Sequence, residues 1–228
     1  MDQSVGENAV DYGCLQISMI CATAVDILAK RHNDGGDLHP LMKLIRQGEE
    51  TDRELQQWYK ADDPEWNFNT VDIINIKGLS GRVDAYSSIS NCYIWNIYRG
   101  ARIHLYETLA DCVKRCRHIS YPDVGAGKWA DDMCIRYEVI VRALLTDIVA
   151  SIPFALGRID SNGQPVESPE RKTMSGVFLL WPLGIVKRSP CASDEQMEQA
   201  GRALQHIGIE MGIRRAFTLN AMWTAGSR

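Results

Sequence analysis

The sequence predicts an all-α fold, a single compact domain of about seven to nine helices covering all 228 residues. Three observations carry this expectation. Apolar residues recur at helical spacing over long stretches. Turn and cap signals separate those stretches. No segment reads as a convincing strand, and no internal repeat is present.

The first helix is expected over residues 5–30, where Val10, Cys14, Ile17, Cys21, Ala24 and Leu28 form one packing stripe. Turn residues follow at 32–36, then a short helix over 38–47. Thr51 and Glu54 have the spacing of a capping box that opens another helix through Trp58. Residues 61–70 read as an acidic loop bearing Trp66. A long helix is expected from between Ser80 and Ala85 to about His118, with Gly100 in its interior. Glycine there costs about 1 kcal/mol relative to alanine, so it implies close approach of another helix or of a ligand. A second long helix is expected over 129–151, stopping before Pro153. Residues 157–172 are rich in Gly, Pro and Ser and read as a flexible surface loop. An apolar helix over 174–186 is kinked by Pro182. Ser193 and Gln196 form a second capping box, starting a helix to about Glu210, and residues 213–223 make the last helix.

Composition narrows the function classes. Hydrophobic residues make up 45% and charged residues 24%, an ordinary globular profile. Net charge is −4 and the pI about 5.8, against the basic patch that phosphate-backbone binding requires. Seven cysteines, an odd number, lie mostly within apolar helical patterns and read as reduced core thiols. The longest apolar run, 177–186, is too short to span a bilayer. A cytoplasmic or nuclear protein without membrane contact is expected.

The most informative stretch is WNIYRGARIHLYETL, residues 95–109. Trp95, Arg99, Arg102 and Tyr106 fall at i, i+4, i+7 and i+11 and share one helix face; Tyr93, Ile97, Gly100 and His104 share another. Buried charges need partners. Either this face lines a cavity, with Arg99 or Arg102 binding an oxygen anion and Trp95, Tyr98 and Tyr106 stacking on a flat ligand, or both arginines pair with acids such as Glu107, Asp131, Asp132 or Glu138. His104 is placed for proton transfer. Trp181 and Asp132 are the further candidate ligand contacts; Asp131 and Asp132 also suit a helix N-terminus, and Asp132 an i, i+4 pair with Arg136. Cys112, Cys116 and His118, with Cys134, do not have a standard zinc spacing, so no metal and no cofactor are expected.

Five segments in order carry a resemblance: 55–58 (LQQW) with Trp66, the 95–109 helix, 148–154 (IVASIPF), 178–183 (FLLWPL) and 204–213 (LQHIGIEMGI). Together they resemble the fungal-specific transcription factor homology region, the C-terminal regulatory part of fungal zinc-cluster regulators, over about residues 15–222. The resemblance implies an all-helical domain that senses small molecules or mediates inhibition. It departs from the family in one respect. The six-cysteine zinc module that contacts DNA is missing, since Cys14 and Cys21 are the only cysteines before Cys92. A chain that is complete could not contact DNA in the family's way; an excised fragment would have lost that module.

Two functions are therefore expected. One is a secondary-metabolism enzyme that orients an apolar polyketide or terpenoid intermediate for dehydration, cyclisation or pericyclic addition, with Arg102, His104 and Arg99 acting on it. No G-x-S-x-G, phosphate-binding loop, H-E-x-x-H or dinucleotide fingerprint accompanies this reading. The other is a ligand-sensing regulatory domain without its own DNA-binding module. In both, the partner is an apolar small molecule, nucleic acid is not contacted directly, and homodimerisation stays open.

Overall fold

A computed structural model describes residues 4–29, 38–57, 66–76, 79–120, 123–167 and 173–222. Among them lie seven helices and one two-stranded sheet: α1 (Ser4–Ala29), α2 (His39–Leu55), β1 (Phe68–Ile76), β2 (Leu79–Tyr86), α3 (Ile89–Ile119), α4 (Val124–Ala155), α5 (Thr173–Arg188), α6 (Asp194–Glu210) and α7 (Arg215–Met222). The all-helical expectation is met, with the hairpin as an addition to it. The expected turn at 32–36, Trp58, and residues 61–65 and 168–172 of the two expected loops lie outside the described residues.

The chain divides into two compact units, residues 1–62 with 101–143 and residues 63–100 with 144–228. In the first unit, α1 buries Val10, Ile17 and Ala24 of the expected stripe, leaves its Cys14, Cys21 and Leu28 half-buried, buries Ile20 in addition, and leaves Tyr12, Leu15, Met19 and Val25 exposed. Its segment Val10–Ala29, though interrupted by Asp11, Gln16 and Asp26, is long and apolar enough on average to cross a membrane by length and composition. Helix α2 is longer than expected. Leu41, Leu44, Ile45, Gly48, Asp52 and Leu55 form one continuous buried face, and Thr51 lies on it as an interior residue. The apparent capping box at Thr51 is thus a coincidence of spacing inside a helix.

In the second unit, β1 and β2 pair antiparallel, with Phe68 opposite Tyr86, Thr70 opposite Asp84 and Val71 opposite Val83. This replaces the expected start of the long helix near Ser80. Ile73, Val83 and Ala85 pack on Ile159, with Val71 and Phe154 around them. Helix α4 carries Pro153 inside it rather than stopping before it. The helix runs to Ala155 and is stopped by Gly157, whose φ of 70° suits a residue without a Cβ. The Gly157 amide donates to the Phe154 carbonyl at 2.9 Å and the Arg158 amide to that of Pro153 at 2.8 Å, which is the double bond of a Schellman stop. Residues 157–167 then form a turn closed by an Ile159–Pro165 bridge, in which the Asp160 carboxylate accepts from the amides of Asn162 and Gln164 at 2.9 and 2.8 Å. The capping box at Ser193 and Gln196 forms as expected.

Candidate functional site

The two arginines of the 95–109 helix are met by protein carboxylates in different ways. Arg102 lies in the first unit. Its Nε and Nη2 donate to the two oxygens of Asp52 at 2.5 and 3.1 Å, a bidentate pair. Tyr106 Oη donates to Asp52 at 2.6 Å, and Gln56 Nε2 at 2.5 Å. Asp52 is almost wholly buried, and its four donor bonds offset the loss of water. One turn earlier on α2, Glu49 accepts from Tyr137 Oη and Arg136 Nη2, both at 3.0 Å. Burial first, then the carboxylate each phenol faces, raises the pKa of Tyr106 and Tyr137. Both stay protonated donors.

Arg99 lies in the second unit and is only 1% exposed. Its Nη1 donates to Tyr86 Oη at 2.5 Å and to Asn96 Oδ1 at 3.3 Å, and its Nη2 to Asp84 Oδ2 at 3.4 Å. Asp147 stands 3.9 Å from Nε. Phe68, Trp95 and Tyr86 surround the guanidinium with ring centres at 5.2, 5.4 and 5.8 Å, within cation–π range. Asp84, fully buried, also takes Thr70 Oγ1 at 2.9 Å and Arg82 Nη2 at 3.2 Å, and Arg82 pairs with Asp147 at 2.8 Å. Two cations therefore balance two anions. Burial raises the Asp84 carboxyl above its ordinary range, against the pull of Arg99, Thr70 and Arg82. Burial lowers the pKa of Arg99, but Tyr86, Asp147 and Asp84 more than reverse this, so it stays cationic. Cys92 lies beside this cage, 3.7 Å from Asn96 Nδ2; burial pushes its thiol up to about 12.

The carboxylates that meet Arg99 and Arg102 are thus Asp52, Asp84 and Asp147, none of them among the acids expected from the sequence. Asp131 pairs with Arg117 and Glu138 with Arg142. Asp132 is exposed, and Arg136 turns to Glu49 rather than to it. Spacing along one helix could not reveal Asp52 or Asp84, because both come from distant segments. His104 is half-buried, and its carbonyl lies 3.9 Å from the Cys21 thiol. Trp95 donates from Nε1 to the Trp66 carbonyl at 2.9 Å, and Tyr98 meets the Trp95 ring edge-on at 5.6 Å. Trp181, 41% exposed, lies over Gly100: a Cβ built there would stand 2.5 Å from its ring. The interior glycine therefore marks helix approach. Cys112 and Cys116 are buried and His118 is exposed. Among the described residues no cluster of three His, Cys, Asp or Glu could hold a metal ion.

The second unit also contains a cleft of about 550 Å³ that the sequence did not indicate. Val149 and Ile152 of α4, Leu156 just after it, Val83 of β2 and Ala203 of α6 give it an apolar wall, and Thr146, Gln196 and Gln199 a polar rim. Arg82, Arg158 and Arg202 also line it; Trp95, Tyr98, Arg99, Arg102, His104, Tyr106, Asp132 and Trp181 do not. Its size is that of a small-molecule site.

The fold and its charge networks define an all-helical protein whose most prominent charged side chains are used internally. The chain is similar to the transcription factor dbaG of Emericella nidulans, with 28% identity over 145 residues. The match covers 61% of this chain and 32% of that protein, so the chain spans about a third of its relative's length. No family model and no solved structure matches.

Proposed function

We propose that the chain is a ligand-responsive regulatory module of a fungal transcription-factor-like protein, acting in the nucleus without contacting DNA itself. The observation that carries this reading is the commitment of both arginines. An orienting enzyme needs a charged donor free to meet a developing oxyanion. Arg102 is held by Asp52 and Arg99 by Asp84 and Asp147, which weighs against their acting on a substrate. The similarity to a transcription factor and the net charge of −4 point the same way. The cleft of the second unit supplies the place for a small molecule.

The test is a reporter assay in a filamentous fungus. The full chain fused to an unrelated DNA-binding module is expected to change reporter output severalfold relative to that module alone. A fusion with no effect on the reporter, together with turnover of a polyketide or terpenoid intermediate that Arg102→Lys abolishes without loss of folding, would favour the enzyme instead.

A further inference from the structure

We infer that the cleft of the second unit is a site for a small, mostly apolar acid, a carboxylate or phenolate, with Arg158 as its anchoring cation. This deepens the regulatory reading and rests on it for its biological consequence. Most charges around the cleft are already committed. Arg82 pairs with Asp84 and Asp147 and Arg202 with Glu198, while Glu195, the lining acid, accepts from the neutral Gln199 amide at 3.2 Å and keeps its charge. Arg158 alone among the lining cations makes no ion pair or side-chain hydrogen bond among the described residues. The Schellman stop at Gly157 sets its backbone: its amide and carbonyl are both bonded, to Pro153 and Val166. Its guanidinium is left for solvent or a ligand.

The walls decide the rest of the ligand. Val149, Ile152, Leu156 and Ala203 offer no hydrogen-bonding side chain, so the part of the ligand that rests on them is apolar, while Thr146, Gln196 and Gln199 can meet polar groups at the rim. A guanidinium at the edge of such a surface selects an oxygen anion and can grip it with two parallel bonds. A second cleft of this unit, about 420 Å³, is lined by Ser87, Phe154 and Met211 among others, and its acid, Asp160, is used by the backbone of its own turn. Of these two clefts, the first combines an apolar wall with an unpaired cation. It is also wired to the interior. Arg82 forms part of its wall and part of the Arg99 cage, so an acid that draws on Arg82 competes directly with Asp84 and Asp147. Occupancy thereby reaches the buried network without any contact with Arg99.

The experiment compares two flat probes of one shape, 1-naphthoate and the neutral 1-naphthamide, by calorimetry and thermal shift on the full chain. The expected result is saturable one-to-one binding of naphthoate, at least about fivefold tighter than the amide. Arg158→Gln should erase that preference while leaving the ligand-free melting curve unchanged, and Arg158→Lys should keep part of it. Ala203→Trp, which fills the cleft wall, should weaken both probes. Equal affinity for the two probes, an acid preference that survives Arg158→Gln, or no binding by either at millimolar concentration would overturn the inference. The reporter fusion separates the two readings. An active fusion with no acid binding removes the cleft and leaves the regulatory role. An inert fusion with Arg158-dependent binding removes that role and leaves the cleft as an acid site.

Discussion

Arg99 and Arg102 lie three residues apart on one helix, yet each is buried by a different means. Arg102 meets a single carboxylate that three side chains surround, and its own side chain keeps 12% of its exposure. Arg99 is sealed within aromatic rings and shares two carboxylates with Arg82. The first arrangement saturates one anion with donors. The second balances charge across four groups. Partial access to water makes a simple pair sufficient, whereas full enclosure demands neutrality of the whole cluster.

The largest expected effect comes from unbalancing the enclosed cluster. Arg99→Met should cost about 3–5 kcal/mol, the loss typical when one partner of a buried ion pair is removed, measured by urea denaturation. A loss below about 1 kcal/mol would show that the cage is open to water. The same cluster has a pH signature. A carboxyl whose pKa is raised by folding binds its proton more tightly in the native than in the unfolded state. Asp84 therefore adds stability as pH falls from its raised value toward the ordinary carboxylate range, and that contribution is lost as pH rises. The penalty of Asp84→Asn should accordingly be greater at about pH 4 than at pH 7. The opposite trend would mean that the pairing outweighs the burial.

An intermediate effect is expected at the simpler pair. Arg102→Ala should cost about 2–3 kcal/mol by removing a charged, bidentate partner. The double variant with Asp52→Ala should recover part of the loss, because no unpaired carboxylate is then left behind. A strictly additive cycle would deny the pair its coupling. The smallest effect falls at Gly100→Ala. Contact with the Trp181 ring should cost about 1–3 kcal/mol, offset by about 1 kcal/mol of helix propensity. A net stabilisation would show that the ring moves aside, and tryptophan fluorescence would follow it.

Helix existence was legible in the sequence where one face was apolar and the other polar, as in α6. The Ser193 capping box was legible because its two reciprocal bonds are local. The β-hairpin was not, since Val83, Asp84, Ala85 and Tyr86 are all buried, and burial of successive residues erases the alternation that marks a strand. The Thr51 box misled because spacing alone does not say whether a residue is a cap or an interior position. At the candidate site, the burial of Trp95, Arg99 and Tyr106 followed from their common face. Their acid partners could not follow, because Asp52 lies 50 residues before Arg102 and Asp84 lies on the strand the sequence concealed. The cleft was invisible for a related reason: its lining comes from segments far apart in the chain, with no local pattern among them.

Cys92 gives the Arg99 cage a built-in clock. Its thiol is 1% exposed and held far from its reactive form, so an alkylating reagent reaches it only in molecules whose interior has briefly opened. The labelling rate at this one sulfur counts those openings.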